Sequence, residues 1–371
     1  MTLTGPLLLI VLGLLAVAGF VTVVVGWPHT TRRGHGMLVR GAQVLALILV
    51  VVVLLGAVLN DRYIFYPSWS DLFGAATPAV QSHHGGRIDV AAMAPAPGPG
   101  LEAAVSPAAL PPLPHPHARL QKYSVTDPAS GRRVPVLVYL PDGYDPTSSQ
   151  TYPVIEGFHG YPGTPDSFRV LNFFSTADRL TAAHQLAPTI FVIPMIDTPW
   201  KLDTECVNGG PGQPQVESWL ASVVPTWTVH HFRAQTARTS WATVGYSYGG
   251  WCAAALAMRH PDVYGGAVVL EGYFRPDFSP AYDPLTPAAK VGFDLIRMAK
   301  TDPPAIAMWV MTSRTDKESY GTTGPFLSAA TSPLDVTSVV VARGGHSNIV
   351  FGPYVSPGLA WLGQTLPGFH A

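Results

Sequence analysis

Two uncharged apolar runs near the N-terminus constrain this chain more than any other feature. Pro6 to Val25 carries no charge, and Ala42 to Leu59 repeats the pattern before Asp61 and Arg62. Each run is long enough to cross a hydrocarbon core of about 30 Å as a helix. A buried core helix would account for one such run. Two in tandem, divided by a short basic loop, read as transmembrane helices. The first is not read as a cleaved leader, because Met1 to Gly5 holds no Lys or Arg. Arg32, Arg33 and Arg40 lie between the runs, and the positive-inside rule assigns that loop to the cytoplasm. The expected localisation is therefore the cell membrane, multi-pass, with everything after Asp61 extracytoplasmic.

The remaining composition excludes several function classes. The 371 residues include 22 basic and 23 acidic side chains, a net charge of -1. No basic stripe is present of the kind a nucleic-acid partner requires. Two cysteines, Cys206 and Cys252, are too few for a disulfide-rich scaffold or a Cys-only zinc centre. In an oxidising compartment they have the means to form one disulfide. It would tie the loop after the strand preceding the nucleophile to the helix that follows it.

Three regions follow from this reading. Residues 1–62 hold the two spans, at about 6–25 and 42–59. Residues 63–117 begin with an aromatic collar, Tyr63-Ile64-Phe65-Tyr66-Pro67-Ser68-Trp69, of the kind that favours the headgroup level. They continue as a Pro- and Ala-rich linker, semi-rigid and partly extended. His83, His84, His115 and His117 fall in that linker and read as solvated, with no metal assigned. From residue 118 to 371 short apolar runs alternate with helical patterns. Strands are expected at 123–125, 134–140, 154–158, 188–194, 241–246, 267–270, 305–312 and 336–342. Helices are expected at 215–231, 249–260, 287–300 and 357–366. That alternation predicts an α/β domain, a mostly parallel sheet covered by helices on both faces.

One motif in this domain carries chemistry. Gly245-Tyr246-Ser247-Tyr248-Gly249 is Gly-x-Ser-x-Gly between a strand pattern, Trp241 to Val244, and a helical one, Trp251 to Met258. In that setting the serine sits on a sharp strand-to-helix turn and its hydroxyl is exposed as a nucleophile. A nucleophilic serine needs a base, and the base needs an orienting acid. His346, in Gly344-Gly345-His346-Ser347 after the last strand, is the expected base. Asp316 is the favoured acid, with Glu318 and then Glu271 as alternatives. The loop His159-Gly160-Tyr161-Pro162-Gly163 is expected to supply the Tyr161 N–H to an oxyanion hole beside the Tyr248 N–H. His159 is expected to hold that loop rather than act as a second base.

These motifs resemble the esterase branch of the α/β-hydrolases that includes enterochelin esterase, esterase D and the antigen 85 mycolyltransferases. The resemblance covers about Leu120 to Leu366. It rests on the 159–163 loop, on Glu217-Ser218-Trp219-Leu220, on Gly245 to Gly250 with Arg259-His260-Pro261-Asp262, and on Gly345-His346-Ser347. It implies an α/β-hydrolase fold, an acyl-enzyme on Ser247 and no cofactor. Antigen 85 proteins have Asp-Gly-Leu-Arg where this chain has His159-Gly160-Tyr161-Pro162, which turns the expectation from acyl transfer towards hydrolysis. Tyr161, Tyr246, Tyr248, Trp251, Tyr273 and Phe274 lie near the expected site, and an aromatic rim there suits a lipid or acyl ester, although at least half of the six are expected to be core. The expected activity is thus a membrane-anchored serine esterase. Its alternatives are an acyltransferase acting on an envelope sugar, a catalytically silent binding domain, and a transporter or signalling subunit. The last is disfavoured because neither span carries an internal ionisable residue.

Overall fold

In the computed structural model of the chain, residues 3–29, 36–63, 66, 69–72, 79–86, 100–101, 110–199 and 201–371 are described. Arg32, Arg33, most of the aromatic collar and the proline-rich stretch at 87–99 lie outside these. The chain falls into two compact units, Met1–Pro78 with Ala342–Ser347, and Ala79–Val341 with Asn348–Ala371.

The first unit is a helical hairpin. Helix α1 (Pro6–Gly26) and helix α2 (Gly36–Tyr63) both reach a mean hydropathy of 3.0 and are long and apolar enough to cross a membrane. They run antiparallel: Gly5 N–H donates to Asp61 Oδ1 at 2.9 Å, and at the opposite end Arg40 donates to Trp27 O at 2.8 Å. The Arg40 guanidinium also lies 4.6 Å from the centre of the Trp27 ring. Helix α2 extends past the apolar run at both ends. Its helical hydrogen bonds are internal to the segment, so they continue into polar surroundings. A single turn, α3 (Trp69–Leu72), follows.

The second unit opens with an edge strand, β1 (Ala79–Gly85), inside the segment expected to be linker. The chain then gives β2 (Leu120–Thr126), β3 (Arg133–Tyr139), β4 (Val154–Phe158), α4 (Ser167–Val170), α5 (Phe173–Ala182) and β5 (Ile190–Pro194). Next come α6 (Val216–Ser218), a π-helical turn at Trp219–Val223, α7 (Val224–His231), β6 (Trp241–Tyr246), α8 (Tyr248–Arg259) and β7 (Gly266–Leu270). The remaining elements are α9 (Pro287–Val291), α10 (Leu295–Thr301), β8 (Ala307–Ser313), α11 (Lys317–Ala329), β9 (Asp335–Val341), α12 (Asn348–Phe351) and α13 (Val355–Thr365).

Among the described residues the strands form one nine-stranded sheet in the order β1-β9-β8-β7-β6-β4-β5-β3-β2. The six from β9 to β5 are parallel to one another, whereas β1, β2 and β3 pair antiparallel at the edges. Side chains alternate across a strand. Ala267 and Val269 of β7 with Met308 and Val310 of β8 therefore enter one apolar cluster, with Trp219, Trp251 and Phe326. Val268, Leu270, Trp309 and Met311 enter the other, with Phe173, Leu359 and Leu362. Helices cover both faces, which is why these strands read as continuous apolar runs rather than alternating ones.

The linker expectation is corrected at 79–85. His83 Nε2 stands 3.4 Å from Asp335 Oδ1 and His84 Nε2 stands 3.0 Å from Ser338 Oγ, so this histidine pair belongs to a paired edge strand, exposed at His83 and half-buried at His84.

One carboxyl in the sheet interior makes stability depend on pH. Glu156 of β4 is fully buried, and its Oε2 accepts from the Tyr264 hydroxyl at 2.8 Å. Burial, opposed by that bond, holds its carboxyl well above the ordinary range. The folded state keeps a proton that the unfolded chain releases, so stability is lost as pH rises above the ordinary carboxyl range. Glu156→Gln cannot lose that proton. Its melting temperature relative to the parent is expected to rise between about pH 5 and about pH 8, as read by thermal denaturation at each pH.

Candidate active site

Ser247 is the one residue of 241–250 that is not buried. It joins β6 to α8 at φ 57°, ψ -129°, a left-handed backbone that costs a non-glycine residue stability. Its N–H donates to Leu270 O at 2.9 Å, and its carbonyl accepts from Gly250 N–H at 2.8 Å as α8 begins. The turn closes because two neighbours lack side chains. A Cβ on Gly245 would overlap Gly249 O, and one on Gly249 would overlap Phe158 O. Strand, helix and the end of β4 thus meet backbone to backbone, and Ser247 is left at the surface of that corner.

The loop after β4 packs on the same corner. A Cβ on Gly160 would stand 2.9 Å from Tyr246 Cε2 and 3.5 Å from Ser247 Cβ. The Tyr246 hydroxyl accepts from Gly160 N–H and donates to Ser167 Oγ at 2.7 Å. Tyr161 donates its hydroxyl to Lys201 O at 2.8 Å, and its ring centre lies 5.8 Å from that of Tyr248. Tyr161 and Tyr248, the two expected oxyanion donors, are therefore neighbours beside Ser247. A cavity of about 420 Å³ adjoins this loop, lined by Pro162, Gly163, Ser167, Asp197 and Lys201 among others. A larger one, about 590 Å³, lies at the β2–β3 turn and the 209–216 loop, with Asp127, Arg132 and Trp219 in its wall and Ser247 not among its lining residues.

The candidate acids separate by burial. Asp316 is 2% exposed, caps α11, and accepts from Glu318 N–H at 3.1 Å and Ser319 N–H at 3.2 Å. Glu318, on the first turn of α11, is exposed. Glu271 follows β7, is fully buried, and has φ 46°; its N–H donates to Met311 O at 2.8 Å. His346, half-buried, lies between β9 and α12. Ligand atoms of Glu271, Asp316 and His346 all lie within 4.8 Å of one another. Two carboxylates and an imidazole have the chemistry of a divalent-metal set as well as of a proton relay. The strained serine on the adjacent strand end is what directs the reading to the relay.

The sulfurs of Cys206 and Cys252 are bonded, with Cα atoms 5.6 Å apart. This ties the 196–215 loop to the first turn of α8. The same loop is fixed by Trp251 Nε1 donating to Glu205 O at 2.9 Å and by the Tyr273 hydroxyl donating to Glu205 Oε1 at 2.8 Å. Of the six aromatics expected near the site, at least half of them as core, one remains as rim. Tyr246, Tyr248, Trp251, Tyr273 and Phe274 are all buried, and only Tyr161, at 38% exposure, faces solvent. Their positions next to the nucleophile are core positions, where large rings fill the space between helix and sheet. Two further motif segments find each other away from Ser247: Glu217 Oε1 accepts from Arg259 Nε at 2.8 Å and stands 3.0 Å from His260 Nε2. Sequence reasoning passed over Asp197, which is 1% exposed and ends the apolar stretch after β5. A lone carboxylate closing such a stretch was the available signal.

A family model described as "Putative esterase" matches residues 128–350. An uncharacterized protein of Corynebacterium glutamicum is 29% identical over 140 residues, which are 37% of this chain and 32% of that protein. The chain thus spans about a third of the length of the curated relative it matches. Among solved structures, a ferulic acid esterase is 17% identical at a TM-score of 0.55, covering 66% of this chain and 97% of its own. An S-formylglutathione hydrolase from Agrobacterium tumefaciens is also 17% identical at 0.55, covering 67% of this chain and 95% of its own. At that identity the two structures speak for a shared fold. The family match spans more than half of the chain and includes Ser247, Asp316 and His346, so the chain belongs to this esterase family of the α/β-hydrolase fold.

Proposed function

We propose that the chain is a membrane-anchored serine esterase whose catalytic domain works outside the cytoplasm. The observation that carries the reading is Ser247 held at a strained turn against the Gly160–Tyr161 loop. A backbone kept at that cost is stored where chemistry uses it. Ser247 Oγ attacks the ester carbonyl while His346 takes its proton, and Asp316 orients His346 and balances the imidazolium. The carbonyl electron pair moves onto oxygen, where the N–H groups of Tyr161 and Tyr248 receive it. Collapse expels the alcohol, which takes the proton back from His346, and leaves an acyl-Ser247 ester. Water, deprotonated by His346, then releases the acid. A hydroxyl compound in place of water would give acyl transfer. The departure of residues 159–162 from the mycolyltransferase pattern favours water.

The orientation rests on Arg32, Arg33 and Arg40 between the apolar runs and on the Cys206–Cys252 bond, which persists in oxidising compartments. The mostly apolar surface of the cavity beside the 159–163 loop suits a lipid or acyl ester.

Isolated membranes labelled with a fluorophosphonate probe test the nucleophile: parent protein is expected to label and Ser247→Ala not. Ester turnover is expected to fall by on the order of 10⁴-fold in Ser247→Ala and His346→Ala, and strongly in Asp316→Asn, while Glu318→Gln stays near the parent. An inactive Glu318→Gln beside an active Asp316→Asn would reverse the acid assignment. Ser247→Gly is expected to be as inactive as Ser247→Ala yet more stable by about 1 kcal/mol in chemical denaturation, because glycine relieves the left-handed backbone. Thiol alkylation of intact cells tests the compartment: Cys206 and Cys252 are expected to resist labelling until a reductant is added.

A further inference from the structure

His159 is fully buried at the end of β4, so it is closed to substrate, but both of its ring nitrogens face backbone groups. Nδ1 stands 2.9 Å from Gly160 O, and Ile196 N–H points at Nε2 across 3.5 Å. A backbone N–H only donates. Nε2 therefore carries the lone pair and Nδ1 the proton, and Nδ1–H donates to the Gly160 carbonyl. Burial lowers the imidazole to about 4, so the neutral ring is the form present at neutral pH. Asp197 Oδ1 lies 4.0 Å from Nε2, beyond hydrogen-bond reach.

The Gly160 carbonyl and the Tyr161 N–H belong to one planar peptide and point in opposite directions. Fixing the oxygen fixes the N–H. Two contacts hold this stretch: His159 holds the oxygen and the Tyr246 hydroxyl holds the preceding Gly160 N–H, while Gly163 leaves room for the first. A Cβ on Gly163 would overlap Gly160 O and stand 2.9 Å from His159 Nδ1.

We infer that His159 is a positioning residue for the reaction: its Nδ1–H, donated to Gly160 O, keeps the Gly160–Tyr161 peptide from turning over and so aims the Tyr161 N–H at the developing oxyanion. The inference rests on the serine-esterase reading and adds to it the group that orders the oxyanion hole. With the clamp removed, a turned peptide would present a carbonyl oxygen to the negative charge instead of a donor.

Two measurements on the full chain in detergent or nanodiscs test this. Histidine-selective ¹⁵N labelling, with His159→Gln to assign the signal, is expected to show Nδ1 protonated and Nε2 bare. An Nε2–H tautomer would overturn the inference whatever the activity. The second measurement compares His159→Asn, whose amide nitrogen falls near Nδ1, with His159→Gln, whose amide nitrogen falls near Nε2. For a soluble activated ester, His159→Gln is expected to lose about 100-fold in kcat with KM within about threefold, and His159→Asn to regain about tenfold of that loss. Equal losses in the two variants at matched thermal stability, or no loss in either, would overturn it. A Ser247→Ala variant that keeps turnover would instead remove the esterase reading, and the ¹⁵N signal would then decide the clamp alone. The same signal decides it where a variant fails to fold.

Discussion

The approach of backbone to backbone around Ser247 is the constraint on which the rest of the domain depends. Gly245, Gly249 and Gly250 bring the first turn of α8 against the ends of β6, β4 and β7 respectively, and a Cβ at any of the three would push a main chain away. The steric gap that a missing side chain leaves is small, but three in six residues lock four elements into one corner. That corner holds the strained serine, the 159–163 loop and the Glu271 end of β7 at fixed spacing. The two apolar clusters on either face of the sheet then supply the stability from which the strain is drawn.

Around this corner the domain buries several acids and handles them differently. Glu156 and Glu205 are buried, accept from the hydroxyls of Tyr264 and Tyr273, and are pushed well above the ordinary range by burial, for Glu205 with Asp203 and Asp277 adding to it. Burial thus favours the neutral form of both over the charged one. Asp316 accepts two backbone N–H groups at the first turn of α11, an end of a helix that favours negative charge. The buried carboxyls are thus distinguished by what each accepts from: a tyrosine hydroxyl for Glu156 and Glu205, backbone N–H groups for Asp316.

The parallel strands were legible because they are buried on both faces and stand out as apolar runs; 154–158 and 241–246 match the observed bounds. Helices of mixed character were not. Helix α11 contains Gly321, Gly324 and Pro325, which argue against helix locally, and is held by its Asp316 cap and by Phe326 against Phe274. The helix expected at 287–300 breaks at Gly292–Asp294, where Asp294 caps α10 by accepting from Arg297 N–H. The sequence favours Asp316 but leaves Glu318 open; α11 separates the two by burial, since the cap turns one carboxyl inward and the other out. Strand β1 was invisible for another reason: Ala79–Gly85 is an exposed edge strand with no buried face to impose alternation. It is specified by β9, not by itself. The Gly-x-Ser-x-Gly turn was readable because its requirement for small residues is local, whereas the burial of its aromatic neighbours is set by helices far along the chain.

Pairing β1 with β9 has a consequence for how the chain is connected. Gly85 and Leu120 both lie in the same sheet, at opposite edges. The segment between them is therefore anchored in one sheet at both ends, and the covalent link from α2 to that sheet is the stretch 64–78. A single peptide cut between Gly86 and Arg119 would leave β1 still hydrogen-bonded along seven residues to β9. The nicked protein would stay associated as two chains, so gel mobility under denaturing conditions and behaviour in native extracts would report different molecules.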